Sequence, residues 1–304
     1  MTGESERGQG RPASGIVLID KPRGPSSHQV AAWVGDLLSM PVGHSGTLDP
    51  MVSGVLVVML GRAVRLAPIL LQSDKEYIAL MRLHESVRQE ELELLFREFT
   101  GRIYQRPPKK SAVKRSLRIR NIHSLEMLEM EGRMVLMKIG CDAGTYIRSL
   151  CHHLGLALGT GAQLLELRRT RSGHFTERDL HTLQDLRLAV ERSAEGDTAR
   201  LRSLLLPASV ATEDLPRITI RDTAVDAICH GAGLAVQGVT DCSGFTRGDY
   251  VSLLTQRGEL VCVGEALVSS ERLKAMKSGL AAAPRIVIME RGTYPRFWKR
   301  AARK

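Results

Sequence analysis

The spacing of apolar residues changes period several times along the chain, and each change marks an element. Gly15–Asp20 (GIVLID) is a short β-branched run ended by Lys21-Pro22-Arg23-Gly24-Pro25, which predicts a strand and a turn. Val30, Val34, Leu37 and Leu38 fall at i, i+4, i+7 and i+8, one face of a helix that Ser26 or Ser27 would cap. Val55–Leu60 predicts a buried strand, and Tyr77, Ala79, Met81 and Leu83 alternate with a period of two, as a half-buried strand does. Ser86 with Gln89 predicts a capping box for a helix whose apolar face is Leu92, Leu95, Phe96 and Phe99. Arg133–Cys141 is strand-like and leads through Asp142-Ala143-Gly144 into a helix from Thr145 to about Leu158.

Strands and helices mix without a regular βαβ rhythm, so the predicted class is α+β with a mixed sheet. From Glu191 to Asp214 the sequence turns polar and loosely helical, and Leu215-Pro216 marks a boundary. Short strands follow at Arg217–Ile220, Tyr250–Thr255, Leu260–Glu265 and Arg285–Glu290, separated by Gly and Asp turns, as in a small β-barrel. The expected organisation is a flexible tail (1–14), a larger domain (15–212), a small β-barrel domain (213–298) and a basic tail (299–304).

With 304 residues the chain is long enough for two cores. It has no apolar run approaching the roughly 18 residues of a membrane span. Its 43 Lys and Arg against 33 Asp and Glu leave +10, which points to a polyanionic partner, nucleic acid first. The five cysteines (Cys141, Cys151, Cys229, Cys242, Cys262) are scattered and never form C-x-x-C, which argues against a disulfide framework or a zinc cluster and fits a reducing cytoplasm. The polar, Gly-rich start lacks the apolar core of a signal peptide. His152-His153 is adjacent rather than i, i+4, so no metal site is expected.

The densest constellation is Gly43-His44-Ser45-Gly46-Thr47-Leu48-Asp49-Pro50, an irregular loop before a buried strand with one carboxylate, Asp49, at its tip. Taken alone, Asp49 reads as an Asx-turn before Pro50. It is followed, however, by KEY at Lys75–Tyr77, GTYIR at Gly144–Arg148 and LRRTRSG at Leu167–Gly173, and preceded by KPRGPSS at Lys21–Ser27. In this order the segments resemble the TruB/dyskerin family of pseudouridine synthases, in particular its archaeal H/ACA branch, from Gly15 to Trp298.

The resemblance implies a role for each matching position. Asp49 matches the catalytic aspartate, Tyr77 the tyrosine that packs on the target base, Arg148 the arginine that pairs with the aspartate, and Leu167 the apolar residue of the base pocket. The chemistry suits these residue types. Moving uracil from a nitrogen to a carbon glycosidic bond calls for a charged nucleophile or base, and an arginine beside an aspartate favours its charged form. The extruded base then needs an aromatic face and an apolar floor. No cofactor and no metal are implied.

Residues 102–120 hold eight basic side chains and no acidic one, and the sequence after Glu290 holds six, interleaved with Tyr294, Phe297 and Trp298. Both stretches suit phosphate tracking and stacking. The candidate RNA contacts are His44, Arg106, Lys109, Lys110, Lys114, Arg115, Arg168, Arg169, Arg296, Lys299 and Arg300. Asp222–Val239 and Gly248–Leu267 resemble a PUA RNA-binding domain. Only 70 residues separate Tyr77 from Arg148, too few for the clamp insertion of the bacterial tRNA enzymes. The resemblance therefore implies a catalytic subunit directed to rRNA by an H/ACA guide RNA. Its partners would be a small zinc-ribbon-type, a small β-barrel and a kink-turn-binding protein. The alternatives are a stand-alone synthase for the T-loop uridine of tRNA and, in a different class, a non-catalytic RNA-binding scaffold.

Overall fold

The computed structural model describes residues 14–107 and 115–296. Lys109, Lys110, Lys114, Lys299 and Arg300 therefore lie outside the described residues. The described residues fall into two compact units, 17–58 with 70–197, and 14–16 with 59–69 and 198–296.

In chain order the first elements are β1 (Ser14–Lys21), α1 (Ser27–Leu38), β2 (Val42–Ser45), β3 (Ser53–Gly61), α2 (Ala67–Leu71), β4 (Lys75–Leu83) and α3 (Gln89–Phe99). There follow β5 (Gly101–Gln105), β6 (Arg118–Glu131), β7 (Met134–Cys141), α4 (Ile147–Ala157), β8 (Ala162–Ser172), β9 (Phe175–Thr176) and α5 (Leu183–Ala194). These strands form one mixed sheet in the order β1-β3-β8-β4-β7-β6-β5, with β2 beside β3 and β9 beside β8. β3 runs parallel to β8, and β4 is antiparallel to both β7 and β8. The period-two face of β4 and the apolar positions of β7 pack against Leu92, Leu95 and Phe96 of α3 and Leu150, Cys151 and Leu154 of α4.

Ser26 caps α1, accepting from the Gln29 amide while the Gln29 side chain accepts from the Ser26 amide. Ser27, the other candidate, is instead fully buried. The capping expectation for α3 is corrected: the helix starts at Gln89 with Arg88 as N-cap, and it is Glu91, not Gln89, whose side chain reaches back to the cap amide. Ser86 lies outside because the extended cap conformation falls two residues later, at Arg88 (φ −74°, ψ 144°). The basic run at 102–120 is in part a hairpin, since β5 pairs antiparallel with the start of β6 and sets Ile103 opposite Arg120 and Gln105 opposite Arg118.

The second unit adds α6 (Ala199–Leu204), β10 (Arg217–Ile220), α7 (Asp222–Cys229), β11 (Leu234–Ala235), β12 (Val239–Cys242), β13 (Tyr250–Thr255), β14 (Leu260–Ala266), α8 (Ser270–Ala275) and β15 (Leu280–Val287). Its six-stranded sheet runs β11-β15-β14-β13-β10-β12 around a core of its own that includes Ile218, Val225, Val251, Leu253 and Val261. The strand expected at Arg285–Glu290 sits earlier, at Leu280–Val287. Its Leu-Ala-Ala-Ala-Pro start carries little β signal, yet Pro284 is accommodated at a register shift opposite Gly264, where a missing ladder donor is tolerated.

The sheet register prepares the site. Ser53 and Gly54 at the start of β3 face Arg168 and Arg169 on β8. Across the other edge of β8, Tyr77 of β4 also faces Arg169, next to a register shift between Glu76 and Tyr77. KEY on β4 and LRRTRSG on β8 are thereby gathered with the start of β3 at one end of the sheet, beside the loop between β2 and β3.

Candidate active site

Asp49 lies in the β2–β3 loop, and buried polar groups hold that loop from several sides. Lys21 is 0% exposed and donates from Nζ to the carbonyls of Val52 (2.7 Å), Pro22 (2.9 Å) and Pro50 (3.2 Å). The Ser27 hydroxyl accepts from the Leu48 amide at 2.7 Å and donates to the Leu48 carbonyl at 3.0 Å. The Val52 amide donates to Asp49 O at 2.9 Å, closing the turn, and the Gly24 amide donates to Pro50 O at 2.8 Å. The KPRGPSS segment, read in the sequence as a turn and a helix cap, is thus also the anchor of the aspartate loop.

Arg148 reaches the site from the first turn of α4 and donates from Nη2 to Asp49 Oδ2 at 2.9 Å. Both side chains are open to water, 62% and 57% exposed, so the pair is screened and contributes at most about 1 kcal/mol to stability. The loop ahead of Arg148 is tied down by Gln105, 1% exposed, which donates to Tyr146 O at 3.1 Å and accepts from the Tyr146 amide at 2.9 Å. Asp142 accepts from the Asn121 amide at 2.8 Å.

Tyr77 is 9% exposed and packs within the core cluster that contains Leu48 and Val52. Burial raises its phenol pKa, and the facing Arg169 guanidinium opposes that rise. Leu167 is partly buried against the same cluster. His44 lies on β2, where an irregular loop was expected from Gly43 onward, with its pKa lowered, first by burial and then by His28 and Arg169, and its Nδ1 is buried without a partner. The structure thus brings Asp49, Arg148 and Tyr77 to one site, with Leu167 two residues from Arg169 on β8.

The first two arginines of LRRTRSG separate. Arg168 makes a bidentate ion pair with Asp20 (2.9 and 3.2 Å) and a second pair with Glu177, so its charge is already matched by protein carboxylates. The expectation that Arg169 contacts RNA is corrected: it is 1% exposed and donates to Val55 O at 2.8 Å and Gly46 O at 3.1 Å. Neighbouring strand residues point to opposite faces, and here one face is the interior. Arg106, Arg115 and Arg296 are exposed.

Two further features escaped the sequence reading. Lys75 is buried, donates to the carbonyls of Leu70 and Ser73, and has its pKa pulled down to about 8, first by burial and then by Arg169. Asp74, His123 and Asp142 converge, with His123 Nε2 at 3.4 Å from Asp74 and 3.2 Å from Asp142. They come from three separate segments, so no local spacing could signal them.

At this point the relatives decide the family. Residues 37–147 match the N-terminal domain of TruB family pseudouridylate synthases, 148–213 the C-terminal domain of tRNA pseudouridylate synthase B, and 216–288 the PUA domain. A probable tRNA pseudouridine synthase B of Methanosarcina barkeri is 50% identical over 287 residues, 93% of this chain and 85% of the relative. This chain belongs to the TruB family of pseudouridine synthases. It is an RNA isomerase with a PUA domain. A second probable tRNA pseudouridine synthase B, from Archaeoglobus fulgidus, is 50% identical over 94% of this chain and 89% of its own. Among solved structures, a chain of an H/ACA ribonucleoprotein bound to a substrate RNA containing 2′-deoxyuridine superimposes with a TM-score of 0.88 at 44% identity, covering 95% of this chain and 90% of that one. A chain of a Cbf5–Nop10–Gar1 complex gives 0.87 at 46%, covering 94% and 90%.

Two expected outcomes follow from the anchors. Lys21→Met removes the donor of three carbonyls and should destabilise the protein by roughly 1–3 kcal/mol in urea unfolding while slowing catalysis more than it weakens RNA binding. Wild-type stability and rate together would contradict this role. For Lys75, the folded pKa of about 8 lies below the ordinary 10.5, so above pH 8 the unfolded chain holds more protons and stability rises with pH. The difference in unfolding free energy between wild type and Lys75→Met should therefore grow by roughly 1 kcal/mol per pH unit from about pH 8 to 10. A flat difference would show that Lys75 is not held in a desolvated position.

Proposed function

We propose that this synthase is the catalytic subunit of a guide-RNA-directed H/ACA particle that isomerises uridine in rRNA. The observation that carries this reading is the likeness over 95% of the chain to a subunit of an H/ACA ribonucleoprotein bound to substrate RNA. The PUA domain supports it by supplying a second RNA-binding module. The short span between Tyr77 and Arg148 leaves no room for a tRNA clamp. The partners would be a guide RNA with small zinc-ribbon-type, small β-barrel and kink-turn-binding proteins, and the setting a reducing cytoplasm that suits five free cysteines. The second reading is a stand-alone tRNA synthase, which the names of the archaeal relatives favour.

In the reaction, Asp49 is the carboxylate that acts on the target nucleotide, with Arg148 at 2.9 Å holding its charge in place. The base leaves its stack, meets the edge that Tyr77 still exposes, and rests against Leu167. The N1–C1′ bond breaks, the C5–C1′ bond forms, and a proton lost from C5 is balanced by one gained at N1. Nothing in this balance requires a cofactor. Exposed basic residues such as Arg106, Arg115 and Arg296 would contact phosphates, which position RNA without reading its sequence.

Asp49→Asn should abolish pseudouridine formation and leave RNA affinity and melting temperature nearly unchanged, because the pair it breaks is exposed. Turnover near the wild-type rate would remove Asp49 from the chemistry. The substrate is tested by initial rates at matched enzyme concentration, on a tRNA transcript with the chain alone and on an rRNA fragment with guide and partners. Guided rRNA modification should be the faster and should be lost on deletion of 213–304. An equal or faster rate on tRNA without partners would replace this reading by the stand-alone one.

A further inference from the structure

The Asp49–Arg148 pair is more than half exposed and screened by water, so it does not hold its own geometry and takes it from the backbone on either side. On the aspartate side that backbone is anchored by Lys21 and Ser27. On the arginine side the loop from Asp142 to Tyr146 is gripped by β5 and β6, two strands that carry none of Asp49, Tyr77, Arg148 and Leu167.

β5 alternates, with Arg102 and Tyr104 exposed on one face and Ile103 and Gln105 turned inward on the other. An apolar residue would suit position 105, yet it holds a primary amide that is 1% exposed. Burying an amide is costly unless its donor and its acceptor are both used. Here a single residue uses both: Gln105 Nε2 donates to Tyr146 O at 3.1 Å, and Oε1 accepts from the Tyr146 amide at 2.9 Å. Glutamine carries a donor and an acceptor side by side, as a peptide group requires of a partner. Tyr146 is the N-cap of α4 and supplies no side-chain cap bond, so Gln105 is what fixes the entry into that helix.

β6 grips the other end of the loop. The Asn121 amide donates to Asp142 Oδ2 at 2.8 Å, the Asp142 amide donates back to Asn121 O at 2.9 Å, and His123 Nε2 lies 3.2 Å from Asp142 Oδ1. Between the two grips the chain turns tightly. The Thr145 hydroxyl donates to Asp142 O at 2.8 Å, and Gly144 has φ +75°, where a Cβ would lie 3.3 Å from Arg120 Nη2 of β6. Arg148 follows two residues after Tyr146, in the first turn of α4.

Resting on the reading of Asp49 and Arg148 as the reacting pair, we propose that Gln105 and Asp142 are positioning residues of the reaction, which aim Arg148 at the carboxylate through the backbone of the loop they hold. Their effect passes through Tyr146 and the first turn of α4. An arginine side chain is long, so a small rotation at the helix entry becomes a larger displacement at Nη2. A displacement of about 1 Å at a reacting group can cost on the order of a hundredfold in rate. The guanidinium is also a planar fork whose bond to a carboxylate depends on direction, which a loosened helix start would spoil.

The test uses the full chain carrying Gln105→Met or Asp142→Ala, each alone and combined with Arg148→Lys. Single-turnover rates are measured at saturating RNA, on whichever of tRNA transcript and guided rRNA fragment the wild type modifies faster. RNA dissociation constants and thermal melts are taken on the same samples. Each single variant should slow turnover by roughly ten- to a hundredfold with RNA affinity within about threefold of wild type, because affinity comes mainly from phosphate contacts. In the Arg148→Lys background, where the directed fork is already lost, each should cost less than about threefold more, because residues that act through one another do not add.

Equal costs in both backgrounds would overturn the proposal, since the loop would then not act through Arg148. Wild-type turnover in the two single variants, with lowered melts, would also overturn it and leave a loop support without a part in the reaction. A parallel loss of RNA affinity and rate would overturn it in favour of an RNA-binding role. Failure of both single variants to fold would make the two grips purely structural. The underlying reading fails separately, if Asp49→Asn keeps the wild-type rate.

Discussion

Three buried cations, Lys21, Lys75 and Arg169, are bonded to main-chain carbonyls rather than to carboxylates, and the active-site end of the sheet is arranged around them. A carbonyl buried in an irregular loop must find a donor, because strand or helix partners are not available to it. A buried ammonium or guanidinium must find acceptors, because water is absent. Here each deficit satisfies the other: Lys21 takes the carbonyls of Pro22, Pro50 and Val52, and Arg169 takes those of Gly46 and Val55. Neither the loop nor the cations would be stable in this form alone.

The arrangement divides the work between hidden and exposed charge. The cations that hold shape are inside, while the pair assigned to chemistry, Asp49 and Arg148, is more than half exposed and open to a nucleotide. Because that pair contributes little to stability, it can be altered without unfolding the protein, whereas the anchors cannot. Arg148 is oriented independently, through Gln105 clasping both the amide and the carbonyl of Tyr146. Two rigid supports from different parts of the sheet thus converge on one exposed ion pair, as preorganised catalysis requires.

Much of this was legible in the sequence, and the rest failed for identifiable reasons. The alternation in β4 and the helical spacing in α1 directly report which face is buried, and the order of KPRGPSS, GHSGTLDP, KEY, GTYIR and LRRTRSG carried the family. What spacing could not tell was the division of labour between neighbours. Ser26 caps α1 while Ser27 bonds Leu48 across the loop, and Arg168 meets Asp20 while Arg169 turns inward. Such divisions depend on strand register, which long-range pairing sets. β6 and β8 lacked a clear signal because charged residues interrupt their apolar positions, as in EMLEME and LRRTR. The Asp74–His123–Asp142 cluster exists only once three distant segments have folded together.

The account stands on the claim that the Asp49 loop is rigid before RNA arrives, and amide hydrogen exchange on the RNA-free protein measures that directly. The amides of Leu48, Val52 and Gly24, bonded at 2.7, 2.9 and 2.8 Å to the Ser27 hydroxyl, Asp49 O and Pro50 O, should be protected to within about tenfold of interior β3 amides such as Val57. Exchange of all three at the rate of an unstructured peptide would contradict it, because the buried cations would then not be holding the loop that presents the aspartate.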